Sequence, residues 1–358
     1  METIYLDYNA TTPVDPEVAE AMLPYLSNYF GNPSSIHKFG EITKKAVEKA
    51  RIQVAELINC KPSEIVFTSG GTESNNFAIK GSANFLQKKG RHIITSGIEH
   101  PAVTEVCKYL VTLGFEISYI PVDQYGSTSI SELEKAIRPT TILITIMHAN
   151  NEIGTIQPIE EIAQLAKKHK IRFHTDAAQS MGKIKVDVQE MGVDLLSIAG
   201  HKLYAPKGVG AIYIKEGTLL EKFMHGANHE RNLRAGTENV LEIVGLGKAA
   251  EIAKRDFKKN YEHVKELKET LYQNLLAAYP ETHLNGHPEK CLPNTLSLSF
   301  PNIEANTLLA KMEGVAASAG AACHSQGINL SSVLKAIELP EKIAMGTHCH
   351  KQCKTQFI

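Results

Sequence analysis

The feature that most constrains this chain is an alternation. Short apolar runs, rich in β-branched residues, recur at 65–68, 92–95, 116–120, 141–147, 171–175 and 194–199. Stretches with helical spacing lie between them, at 77–86, from Pro101 to Leu113, and at 131–137 and 159–169. Repeated strand–helix units cannot pair as hairpins. They fold as a mostly parallel sheet with helices on both faces, an α/β architecture. In such sheets ligands bind outside the carboxyl ends of the strands.

The chain has 358 residues, more than one hydrophobic core usually serves, so two domains are expected. The pattern puts a large domain at 12–250 and a smaller α+β domain at 1–11 plus 251–358. The helical stretch 241–279 bridges them, and a strand at 294–300 opens the smaller sheet. The net charge is -1 and no basic face or polybasic run stands out, so neither nucleic acid nor a membrane surface is an expected partner. No apolar run reaches the length of a membrane-spanning helix. The first eight residues read as a strand and lack the basic start and cleavage site of a signal peptide. Six cysteines in a chain this long make no disulfide framework, which points to a reducing, cytoplasmic compartment.

The strand-end rule collects a set of polar residues. Thr72, His100, Asn151, Asp176, Gln179, His201 and Lys202 all stand at or just after expected strand ends. The turn Ser69-Gly70-Gly71-Thr72 joins a strand to a helix and so offers free backbone N–H groups to an anion. It is neither a Walker A loop nor a GxGxxG turn, and alone it serves equally as a helix cap. Lys202 follows Gly200 and His201 directly after the strand 194–199, with Pro206 opposing a helix restart. A lysine held in a half-buried turn can act as a nucleophile towards a carbonyl. An anion-binding turn, a strand-end aspartate and such a lysine together suggest pyridoxal 5'-phosphate. The aspartate would pair with the pyridinium nitrogen, and Gln179 would donate to the phenolate oxygen. A nucleotide-binding module using the Gly70-Gly71 turn is the non-pyridoxal alternative, and it predicts a colourless protein.

The wording of these segments resembles the class V aminotransferase-fold enzymes, specifically the cysteine desulfurase and selenocysteine lyase group. The matching text is Leu6-Asp7-Tyr8-Asn9-Ala10-Thr11-Thr12, Ser69 to Ser74, Glu99-His100, Asn150 to Gly154, Asp176-Ala177-Ala178-Gln179, Gly200-His201-Lys202 and Glu230 to Asn239. By that resemblance Lys202 carries the cofactor, Asp176 meets its ring nitrogen, and His100 stacks on the ring as a catalytic group. Gly71, Thr72 and His201 would hold its phosphate, Gln179 its phenolate oxygen, and Asn151 would hold the substrate against it. Thr237 would reach the phosphate in a neighbouring subunit, which implies a homodimer.

The resemblance also gives Ala319-Gly320-Ala321-Ala322-Cys323-His324-Ser325 a role. Cys323 would be the catalytic thiol on a mobile loop. It would take sulfur or selenium from L-cysteine or L-selenocysteine, leaving L-alanine, and pass it to an acceptor protein, as in iron–sulfur cluster assembly. The Gly-Ala-Ala-Cys-His-Ser wording is closer to the selenocysteine lyases, and Ala199 stands where many desulfurases carry a phosphate-binding serine. The family pattern fits through Thr347 and then departs. Cys349 stands about where the family has an arginine that clamps the substrate carboxylate, and a cysteine cannot make that bidentate contact. A truncated or misread C-terminus is therefore expected, and with it the alternative of a cofactor-binding relative with impaired turnover. His348, Cys349, His350 and Cys353 are closely spaced, but no second ligand pair lies nearby, so no metal is expected.

Overall fold

A computed structural model describes residues 3–319, 321–324 and 327–351. Its centre is a seven-stranded sheet. The strand order across it is Ile65–Thr68, Gly210–Ile214, Leu195–Ala199, Arg172–Asp176, Thr141–Thr145, His92–Ser96 and Glu116–Ile120. The last five pair in parallel, as the alternation requires. Gly210–Ile214 runs antiparallel between the first and third strands. Nothing in the strand–helix pattern signals it, because it returns directly from the lysine turn without a crossover helix.

Five strands of this sheet, among them Ile65–Thr68, Thr141–Thr145 and Leu195–Ala199, are buried along their whole length. Burial on both faces explains their continuous apolar runs. One face packs Val47, Ala50 and Val54 of the helix Lys38–Leu57 against Leu246 and Ala250 of the helix Val240–Arg255. The other packs Ile79 and Ala83 against Val103 and Leu110.

Several expected bounds move. The helix expected at 77–86 begins at Gly71, so the glycine turn and the helix N-terminus are one feature. The strand expected to run to residue 147 ends at Thr145. The stretch 241–279 is two helices, Val240–Arg255 and Phe257–Ala278, broken at Asp256.

A four-stranded sheet orders Ser318–Ala319, Thr347–Lys351, Thr295–Ser299 and His283–Asn285. Thr295–Ser299 is therefore an inner strand, and His283–Asn285 precedes it in the chain, contrary to the expectation that 294–300 opens this sheet. The N-terminal strand Ile4–Tyr5 pairs in parallel with Val315–Ala316. Ile98, Met147 and Ile153, from the ends of the large sheet, pack against Val333, Leu334 and Ile337 near the C-terminal end.

Candidate active site

The strand Leu195–Ala199 runs straight into a 3₁₀ turn, Gly200–Lys202. Backbone bonds from Leu203 N (2.8 Å) and Ala205 N (3.2 Å) to the Gly200 carbonyl close that turn. The segment after the first strand returns to brace it. Thr12 donates from both its amide (3.1 Å) and its hydroxyl (2.9 Å) to the His201 carbonyl, and its Oγ1 accepts from Tyr204 N at 3.1 Å. Lys202 Nζ donates to the Ala10 carbonyl at 2.7 Å and to the Asn9 carbonyl. Burial lowers its pKa to about 8, against the attraction of Asp7 and Asp176. That is the direction a carbonyl-reactive amine requires. Burial also lowers His201 to about 4, assisted by the positive charge of Lys202, Lys207 and Lys183, so its ring is neutral at neutral pH. Its Nδ1 lies 3.1 Å from Thr11 Oγ1.

Asp176 ends the neighbouring strand and is buried. One carboxylate oxygen accepts from Asn75 Nδ2 at 2.6 Å and the other from Ala178 N at 2.9 Å. Two donors on two oxygens fix the plane of the carboxylate while leaving lone pairs to meet a further N–H. Gln179, one turn on, donates to the Asn9 carbonyl at 3.2 Å. His100 caps the helix Pro101–Thr112 through Nδ1, which accepts from Ala102 N at 3.1 Å. Its ring is open on the cavity side. Burial on the other side lowers its pKa, Asp176 opposes this, and Lys202 adds to it. Behind it Glu99 is buried, accepting from Ser96 Oγ at 2.6 Å and from Met147 N at 3.0 and 3.1 Å. These bonds tie the His100 turn to the end of the adjacent strand. Burial pushes the Glu99 carboxyl up to about 8.

The anion cradle forms where Ile65–Thr68 meets the helix Gly71–Leu86. Gly70 has φ +151°, a conformation side chains rarely adopt. It rests directly on Gly210, where an added Cβ would come 2.7 Å from Gly70 Cα. A Cβ on Gly71 would come 3.0 Å from Ala199 Cβ, so small residues on both sides let the chain pass closely. The first-turn N–H groups of a sixteen-residue helix point outward here with the positive end of its dipole.

These elements enclose a cavity of about 480 Å³. Gly71, Thr72, His100, Asn151, Asp176, Gln179, His201 and Lys202 all line it. Thr237 does not; it is exposed on the loop after Glu230–Asn232. Cys323 lies in the strand Ala321–His324, paired antiparallel with Gly327–Leu330. Its side chain lies outside the described residues, although Ser318 and Ala319 just before it line the cavity. Sequence reasoning missed Asn75, Asp7, Asn9, Ser297, Ser331 and Thr347 as lining residues. Asn75 alone carried a signal, since it lies three residues after Thr72 on the same helix face.

The departing segment is paired as far as Lys351. Thr347–Lys351 forms a strand against Thr295–Ser299, with Cys349 in register with Ser297 and Ser318. No arginine lines the cavity among the described residues. The side chains of Cys349 and His350, and all of Cys353, lie outside the described residues, so the close spacing of possible metal ligands there has no described geometry. A carbonyl-reactive amine, a fixed carboxylate and an anion cradle on three walls of one cavity fit pyridoxal phosphate. Lys202, Asp176, Gly71 and Thr72 are the residues that would hold its aldehyde carbon, ring nitrogen and phosphate.

Comparison with known proteins agrees. The family model for class-V aminotransferases matches residues 4–339. A cysteine desulfurase IscS from Dictyoglomus turgidum is 52% identical over 346 residues, 96% of this chain and 88% of that protein. A human cysteine desulfurase is 46% identical over 96% of this chain and 76% of its own length. Among solved structures, a NifS-like protein superposes with a TM-score of 0.93 at 40% identity, covering 99% of this chain and 95% of its own. SspA in complex with cysteine superposes with a TM-score of 0.86 at 39% identity, covering 98% of each chain. With its sheet order, lysine turn and cavity, the chain belongs to the class-V aminotransferase family, whose enzymes work with pyridoxal phosphate.

Proposed function

We propose that this chain is a pyridoxal-phosphate-dependent cysteine desulfurase. It removes sulfur from L-cysteine, releases L-alanine, and lodges the sulfur on Cys323 as a persulfide for an acceptor protein. The observation that carries this reading is the convergence on one cavity of Lys202, with its pKa lowered to about 8, and the doubly bonded Asp176. The relatives' names and a cysteine complex among the structural neighbours support the substrate.

When bound, the cofactor supplies an electron sink next to the substrate's α-carbon. The protein's own groups do the rest. Asp176, held flat by Asn75 and Ala178, would accept from the cofactor's ring N–H and so favour its protonated form. Lys202 has a large neutral fraction just above neutral pH and can accept or return a proton at Nζ. His100 is neutral because burial lowers its pKa; with Nδ1 accepting from Ala102 N, its ring proton sits on Nε2, a proton donor on the open side of the cavity. Asn151 and the hydroxyls of Ser297, Ser318 and Thr347 provide neutral donors for the substrate's polar groups.

The finer parts of the proposal are the homodimer, the selenium substrate, the acceptor and a cytoplasmic setting. The dimer is supported by Thr237, exposed and away from its own chain's cavity, and by an apolar surface on which Leu26, Phe30 and Ile36 are 64%, 73% and 96% exposed. The sulfur acceptor is a protein of iron–sulfur cluster assembly, and selenocysteine is a second substrate of the same site. A second reading, a cofactor-binding relative with impaired turnover, is favoured by the absence of arginine among the described lining residues.

The test is a visible spectrum joined to an alanine assay on cysteine and selenocysteine. The purified protein is yellow, and Lys202→Ala removes the colour. Cys323→Ala keeps the colour and stops sulfide release from cysteine. Sulfide release surviving in Cys323→Ala would remove that residue from the proposed route. Colour without alanine from either substrate selects the second reading.

A further inference from the structure

A brace of two ion pairs reaches the anion cradle from outside the cavity. Arg51, on the helix Lys38–Leu57, is buried and makes a bidentate pair with Glu230, at 2.7 and 2.8 Å. Glu230 Oε2 also accepts from Phe67 N at 2.8 Å, on the strand that leads to the cradle. The turn this pair anchors is strained. Glu230, Arg231 and Asn232 have φ of +44°, +56° and +66°, three consecutive non-glycine residues in left-handed conformation. Such residues persist only where surrounding contacts hold them, and they concentrate at functional sites.

The strained turn delivers Arg234 to Glu73. Arg234 Nε donates to Oε1 at 2.8 Å and Nη2 to Oε2 at 3.2 Å, and the two side chains are only 19% and 9% exposed. Glu73 belongs to the first turn of the cradle helix, next to Thr72. Its Oε2 also accepts from Ser69 N at 2.8 Å, across the Gly70-Gly71 bend. Glu73 thus spans the cradle, with one carboxylate gripping the loop before it and the arginine behind it. A carboxylate in a helix's first turn competes with an incoming anion for the dipole's positive end unless a cation neutralises it. Arg234 is that cation, and it approaches from the face away from the cavity.

We propose that Glu73 and Arg234 are positioning residues for phosphate recognition. The pair holds the Ser69–Thr72 bend in its phosphate-receiving shape and cancels the charge that would repel the anion, and the Arg51–Glu230 pair fixes Arg234 in place. Neither side chain lines the cavity, so the effect acts through the cradle and not through contact with the cofactor. This inference rests on the reading that the cradle takes a phosphate.

The test compares pyridoxal phosphate with pyridoxal, which lacks the phosphate. Cofactor-stripped protein is titrated with each, and binding is read from the visible absorbance. Wild type binds the phosphate form far more tightly. Glu73→Gln and Arg234→Gln each weaken pyridoxal phosphate about tenfold to thirtyfold, the scale of a charge-assisted bond, and change pyridoxal by less than about twofold. The double variant loses no more than the worse single, because both remove one coupled unit. Equal loss for both ligands would make the pair a general structural element and overturn the proposal. So would additive losses, or no loss at all. A wild type that does not distinguish the two ligands would overturn the phosphate reading itself, and the brace with it.

Discussion

Lys202→Met in the cofactor-stripped protein is expected to raise folding stability near neutral pH. Burial takes the lysine from its ordinary 10.5 to about 8, so the protonated amine costs about 3 kcal/mol of folding stability near pH 7. Methionine has a similar length and no charge. It gives up the two bonds from Nζ to the Asn9 and Ala10 carbonyls, each worth about 1 kcal/mol where cavity water can replace the lysine. The net gain is about 1 kcal/mol. The sign of the pH dependence follows from the lowered pKa. Between about 8 and 10.5 the unfolded lysine holds a proton that the folded one does not, so wild-type stability rises with pH through that window. Near pH 10 the penalty has fallen to about 1 kcal/mol, and the variant loses its advantage. Urea unfolding of both proteins near pH 7 and near pH 10 measures this. A variant no more stable at neutral pH, or one whose advantage is the same at both, would refute the account of Lys202 as a desolvated amine.

Two further outcomes follow from packing around the cradle. Arg51→Met leaves Glu230 buried without its bidentate partner, and it should lower stability by about 3–5 kcal/mol in urea melts, whereas a conservative change at the exposed Lys61–Glu216 pair should cost under about 1 kcal/mol. Gly210→Ala places a Cβ 2.5 Å from the Ile198 carbonyl and 2.7 Å from Gly70 Cα; it should displace the cradle and weaken pyridoxal phosphate at least tenfold in a cofactor titration, and unchanged affinity would count against the tight seating of Gly70.

The parallel core was legible because a buried strand writes itself as a continuous apolar run and its crossover helix as a 3.6-residue period. Asp176, His100 and Lys202 were legible for a related reason, since each follows such a run and the strand-end rule gathers them. What escaped lacks local periodicity. The antiparallel strand Gly210–Ile214 is an apolar run like the others, but no helix precedes it. Asn9 and Ala10 enter the site only because the N-terminal segment crosses back over the lysine turn, a contact some 190 residues apart in sequence, as Thr11 to His201 shows. The roles of Glu73 and Arg234 depend on a similar separation of 161 residues.

The hidden contacts share a purpose. Residues gathered by the strand-end rule line the cavity, and those that escaped it brace its walls. Lys202 is desolvated, which lowers its pKa to about 8, and a desolvated amine destabilises its own turn. The turn is held by Thr12 and by the Asn9 and Ala10 carbonyls, which come from outside the sheet. The glycine bend at Gly70 is likewise held by Glu73, and the strained turn Glu230–Asn232 by Arg51. Distant segments can stabilise a strained site without occupying the surface the ligand needs, whereas neighbours in sequence share that surface with it. A site built this way shows its reactive groups in the local pattern of the chain, and its supports only in the folded protein.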